Sequence, residues 1–150
     1  MKPTANDKKL KEPEVDREFR LKALEVLANV RAKHPELIVT EVFRSVKRQR
    51  QLYCKGRSSA ELLAKGLDSA EIRSARRAGM SAAGDTVTGM LWPKYHGAGL
   101  AMDCAWLING AITWNVPRAW WLMYVRAGKA HGLKSLGPSI GDWGHLQLGG

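Results

Sequence analysis

The sequence predicts an α+β fold, a small antiparallel sheet flanked by helices, and three observations carry that prediction. Apolar residues recur at helical spacing over residues 15–32 and again over 116–130. Short β-branched or apolar runs of strand length follow or separate those stretches. An Asn109–Gly110 pair stands between two such runs, the signal of a hairpin. Helices mixed with short antiparallel strands place the chain in the α+β class.

The first 14 residues, MKPTANDKKLKEPE, hold little apolar content and read as a flexible arm. The rest, residues 15–150, is long enough for a single domain with one sizeable core. From Val15 to Ala32, Phe19, Ala23, Val26, Leu27 and Val30 form one apolar stripe, with Asp16 or Pro13 near the helix start and His34–Pro35 at its end. LIVTEVF, Leu37 to Phe43, reads as a strand. RSVKRQRQLYCKGRS reads as a turn and a helix stopped at Gly56.

Residues 58–79 form a helical insert of two short helices, turning at Gly66–Leu67, the second capped by Asp68 or Ser69. Ser81 to Trp92 is irregular apart from an extended TVT. Gly99 to Ile108 is expected to be a central strand and AITW its hairpin partner. Pro117 opens a helix over residues 116–130. HGLKSLGPSIGD is expected to turn, and WGHLQL to return as a strand.

Lys and Arg number 24 against 14 acidic residues, a formal charge of +10. That balance favours an anionic partner: nucleic acid, an anionic membrane face or an anionic wall polymer. No apolar run reaches the length of a membrane span. No apolar stretch follows the N-terminal lysines as in a secretory signal, so synthesis and retention in cytoplasm are expected. Cys54 and Cys104 are too few for a disulfide framework and are expected to be free thiols.

The polar residues with chemistry to offer are few. A zinc peptidase needs three protein ligands and one open position, and imidazole and carboxylate suit that ion. Of the four histidines, His34 reads as a solvated helix end and His131 as a helix-end residue. His96 lies among glycines seven residues before Asp103, which sits in the apolar run GLAMDCAWLI. A lone carboxylate there is costly unless paired or bound to metal, so a metal ligand and a partner for a buried arginine both stay open. In GDWGHLQL, Asp142 stands three residues before His145, off the two-residue repeat of a strand, although Gly144 permits a bend that aims both at one centre. A surface aspartate and a core histidine are the plain alternative.

The run His96, Gly99, Ala101, Asp103, read as H-x-x-G-x-A-x-D, and the later D-x-x-H at Asp142 and His145 resemble the M15 metallopeptidases. This group includes D-alanyl-D-alanine dipeptidases and phage L-alanyl-D-glutamate peptidases. FRSVKRQRQLYCKGR is similar to a segment of the phage enzymes, matching at Arg44, Ser45, Arg48, Gln49, Leu52, Tyr53, Gly56 and Arg57. The resemblance spans about residues 17 to 148 and implies the hedgehog/DD-peptidase fold. It implies one Zn2+ per chain held by His96, Asp103 and His145. Asp142 would be the catalytic base, with Glu41 its rival, and Arg44 would hold a carboxylate or the developing oxyanion. Three departures stand out: Lys94 where the family usually has Ser, Gly144 where Pro is common, and the longer 58–79 stretch.

The function so implied is zinc-dependent cleavage of the L-Ala–D-Glu bond of peptidoglycan stem peptides by a monomeric endolysin. Such an enzyme waits in host cytoplasm until lysis and then reaches the periplasm and cell wall, without stable membrane insertion. A D-Ala-D-Ala carboxypeptidase or dipeptidase is the alternative within the family. A basic nucleic-acid-binding module is the alternative from another class, although no Cys/His finger, aromatic-basic stretch or helix-turn-helix supports it.

Overall fold

The computed structural model describes every residue apart from Pro93 and the side chain of Pro138. Contacts divide the chain into two compact units, residues 1–43 with 98–150, and residues 44–97.

The first unit is built on an antiparallel sheet. Its strands are β1 (Leu37–Glu41), β2 (Ala101–Ile108), β3 (Ala111–Thr113), β4 (Lys134–Leu136) and β5 (Asp142–Gln147). The order is β1-β2-β5-β4, and β3 pairs with β2. The β2–β3 connection is the expected hairpin, with positive φ at Asn109 (50°) and Gly110 (79°), as its two-residue turn requires.

Helix α1 (Arg17–Arg31) begins where Asp16 accepts a hydrogen bond from the Phe19 N–H, and it buries the five-residue stripe read from the sequence. Helix α5 (Arg118–Ala130) supplies Trp121 and Tyr124. Both helices join one core with Leu37 and Val39 of β1, Met102, Cys104 and Trp106 of β2, and Leu146 of β5. Strand alternation sends the intervening residues to the other face of the sheet, where Ile38, Ala105 and Leu107 form a separate cluster. Asp103 belongs to that second set.

Three expectations are revised here. Residues Pro3–Lys11 form a 3-10 helix rather than a loose arm: Leu10 is fully buried, and the Arg31 guanidinium donates to both Asp7 oxygens at 2.7 and 2.9 Å. The region expected only to turn after His131 contains β4 and a short helix, α6 (Gly137–Ile140). His34 is half-buried instead of solvated, and its ring lies 4.3 Å from that of Trp120 and 6.2 Å from that of Trp106.

The second unit holds α2 (Val46–Tyr53), α3 (Ser59–Ala64) and α4 (Ser69–Arg77). Ser58 and Asp68 each close a capping box with the glutamate three residues on, and Asp68 is one of the two caps read from the sequence for the second helix. This unit has its own core of Tyr53, Cys54, Leu62, Leu67, Ile72 and Ala75. A two-bond ion pair from Arg50 to Glu71, at 2.5 and 3.0 Å, ties α2 to α4. The TVT segment forms no strand. Both cysteines are free and buried; burial pushes the Cys54 thiol up and the Cys104 thiol up to about 12, leaving two inert neutral groups.

Candidate metal centre

Asp103 reaches its position through the register of the sheet. It is the Cα partner of Glu41 on β1 and of His145 on β5, so three strands set these residues in one row. Side chains directly opposite in an antiparallel pair share a face. The His145 Nδ1 accordingly lies 3.1 Å from Asp103 Oδ1.

His96 precedes β2 by a short turn. Gly99 has φ +68°, and a Cβ there would overlap the Glu14 carbonyl; the Asp16 N–H donates to the Gly99 carbonyl at 3.0 Å. Only glycine allows that close approach, which joins the start of β2 to the start of α1. The His96 carbonyl accepts the Arg44 N–H at 3.3 Å. His96 and His145 are buried, each 7% exposed, while Asp103 is half-buried.

Among the described residues, one ligand atom each from His96, Asp103 and His145 all lie within 4.8 Å of one another. Two ligands of a tetrahedral zinc at ordinary bond lengths stand about 3.4 Å apart. The donor set and spacing therefore fit one divalent ion, with two neutral imidazoles and one carboxylate leaving net positive charge at the site. In the metal-free protein, burial pulls the His145 pKa down, but the hydrogen bond and charge of Asp103 outweigh it. With help from Gln147 and the Asp142 carboxylate, they leave the group above its ordinary value.

Asp142 opens β5 and is exposed. Pairing with β4 is irregular here: Ser135 pairs with Leu146 and Leu136 with Asp142, so residues 143–145 are passed over. That irregularity shifts the register of β4 against β5 ahead of His145. Gly144 is not a loose point within it. It is buried, a Cβ would overlap the Cys104 carbonyl oxygen, and its own carbonyl accepts the buried Tyr124 hydroxyl at 2.9 Å. Burial holds that phenol well above its usual pKa, so it stays a donor.

Arg44 is half-buried, and its guanidinium donates to Gln49 Oε1 at 2.7 Å. Gln49 is itself buried and donates to Thr88 Oγ1 at 3.1 Å and to the Met90 carbonyl at 2.5 Å. Glu41 lies beside Asp103 in the strand register. Lys94 is exposed, with its ammonium 5.3 Å from the Tyr95 ring centre. His131 caps α5 and contacts Glu25 and Asn29 at 2.9 and 2.7 Å, the helix-end role expected of it.

Sequence reasoning missed Gln147. Its Oε1 lies 2.8 Å from His145 Nε2, and its own amide donates to the Gly149 carbonyl at 2.9 Å. The signal was present as strand alternation, since residues two apart share a face.

No family model matches the sequence, and no curated protein matches it. The fold, however, is similar to that in a crystal structure of the Serratia marcescens L-Ala D-Glu endopeptidase ChiX. The match covers 98% of this chain and 88% of that chain, at 18% sequence identity and a TM-score of 0.54. The mixed α+β architecture expected from the motifs is thus the observed one, and the chain shares the fold of that peptidase along nearly its whole length.

Proposed function

We propose that the protein is a zinc-dependent peptidoglycan endopeptidase that cleaves the L-Ala–D-Glu bond of stem peptides during phage-induced host lysis. The observation that carries the reading is the convergence of His96, Asp103 and His145, with ligand atoms within 4.8 Å of one another. The fold shared with an L-Ala D-Glu endopeptidase supports it. The phage-type motif from Arg44 to Arg57 supports the choice of bond.

A divalent ion held by these three side chains supplies Lewis-acid polarisation of an amide carbonyl and acidifies water. In the proposed reaction Asp142 takes the proton of the attacking water and delivers it to the leaving amine. Arg44 holds a substrate carboxylate or the charge gathering on the carbonyl oxygen, and its hydrogen bond to Gln49 limits the conformations it must give up on binding. The +10 charge draws the protein to a polymer rich in carboxylates. In this reading the enzyme is kept in host cytoplasm until lysis and then acts on the wall.

The test is mass analysis of fragments from purified peptidoglycan, with and without chelator. The expected products are peptides with a new D-Glu amino terminus, lost with chelator and restored by zinc. Release of D-Ala alone would move the assignment to the carboxypeptidase reading. Intact peptidoglycan after treatment with zinc-loaded protein would reject a peptidase. Chelator-resistant, salt-sensitive binding to nucleic acid would then favour the basic-module reading.

A further inference from the structure

We infer that Gln147 is a positioning residue that selects which ring nitrogen of His145 faces the ion. The inference rests on reading the His96, Asp103 and His145 cluster as a metal site.

His145 and Gln147 are two apart on β5 and share a face. Gln147 is 4% exposed, so its amide cannot reorient freely into solvent. One end of that amide meets the Gly149 carbonyl at 2.9 Å. A carbonyl only accepts, so the NH2 group must face it and Oε1 must face His145. That oxygen lies 2.8 Å from His145 Nε2, and an acceptor at this distance requires a proton on Nε2. A neutral imidazole protonated at Nε2 keeps its ligating lone pair on Nδ1. Nδ1 is the nitrogen 3.1 Å from Asp103 Oδ1, on the carboxylate side of the cluster; without the ion it too faces an acceptor and carries a proton, which the ion displaces to solvent while Gln147 keeps the proton on Nε2.

The Gly149 carbonyl thus orients the Gln147 amide, which orients the tautomer, which presents Nδ1 to the ion. Reversing the tautomer would put the lone pair against Gln147 Oε1 and leave an N–H where the ligand should be. Hydrogen-bond partners of this kind behind a ligating histidine typically change metal affinity by about 10–100-fold when removed.

The test uses the full-length protein with 15N-labelled histidine. Long-range 1H–15N spectra of the zinc-loaded protein report which ring nitrogen of His145 keeps its proton and which meets the ion. Zinc dissociation constants are measured by chelator competition for the wild type, Gln147→Met and Gln147→Glu. The expected results are zinc on Nδ1 with the proton kept on Nε2, and affinity weakened about 10–100-fold in Gln147→Met. Gln147→Glu, which still accepts from Nε2–H but loses the donor to the Gly149 carbonyl, should weaken affinity less than Gln147→Met does, a partial rescue that loss of packing alone would not produce. Zinc on Nε2, or undiminished affinity in Gln147→Met, would overturn the inference. Should Gln147→Met fail to fold, the wild-type spectra decide alone. A wild type that takes up no zinc would remove the metal reading and the inference with it, whereas one that binds zinc through Nε2 would overturn the inference alone.

Discussion

The Asp103 carboxylate and the His145 imidazole face each other across the β2–β5 pairing, with Oδ1 3.1 Å from Nδ1. Sheet register rather than loop flexibility sets that separation, so two of the three proposed ligands are held by backbone hydrogen bonds. The third, His96, arrives by the Gly99 turn immediately before the same strand.

Removing a ligand should therefore remove the metal without dismantling the sheet. His96→Ala and His145→Ala are each expected to lower bound zinc at least about tenfold, a loss no smaller than that of a residue merely supporting a ligand. Elemental analysis after gel filtration measures it, and full occupancy in either variant would refute that ligand.

Zinc uptake should weaken in acid at a higher pH than an ordinary imidazole would dictate. Burial lowers the His145 pKa, yet Asp103 raises it more, so the proton competes with the ion further up the scale. Stability of the metal-free protein runs the other way. A folded-state pKa above the unfolded value of about 6.5 contributes stability that is fully present below that value and is lost as pH rises through the folded pKa. Asp103→Asn should flatten the stability trend of the metal-free protein. Chelator competition and urea unfolding across the range measure the two trends, and pH-independent stability of the metal-free wild type would contradict the expectation.

Asp142→Asn should fold and hold zinc normally, since residue 142 is exposed and outside the three-residue cluster. Hydrolysis of peptidoglycan should fall by about 10²–10⁴, the usual contribution of a general base. Near-normal turnover would return the role to Glu41 or to another group.

Gly144→Ala should destabilise the protein by about 1–3 kcal/mol, because the new methyl overlaps the Cys104 carbonyl and one strand must move. Tyr124→Phe should cost a similar amount, about 1–3 kcal/mol, by withdrawing the donor from the Gly144 carbonyl. Urea unfolding measures both. A Gly144→Ala protein as stable as wild type would show that the approach of β5 to β2 is less tight than the structure has it.

Much of the fold was legible in the sequence because its elements announce themselves locally. The α1 stripe buries the five residues its periodicity selected, Asp16 caps it, and Asn109–Gly110 turns the hairpin. What was not legible depends on distant partners. Pro3–Lys11 carries few apolar residues, and its order comes from Arg31 on Asp7 and from the Asn6 amide on the Val39 carbonyl. β4 is three residues, KSL, with no strand pattern of its own, and exists through pairing with β5. His34 looked solvated because Trp106 and Trp120 lie far along the chain.

At the site, the sequence by itself determined the chemistry on offer: two histidines, an aspartate between apolar neighbours, and a second aspartate three residues ahead of the last histidine. Residue type and order along the chain are local properties, and the motif resemblance needs nothing more. Only the tertiary structure decided that His96, Asp103 and His145 meet, that Gly144 is a point of close packing, and that Gln147 stands behind His145. Those outcomes depend on strand register and on the Tyr124 bond to the Gly144 carbonyl of β5. A one-residue slip would turn every side chain of β5 to the opposite face and dissolve the cluster with its composition unchanged.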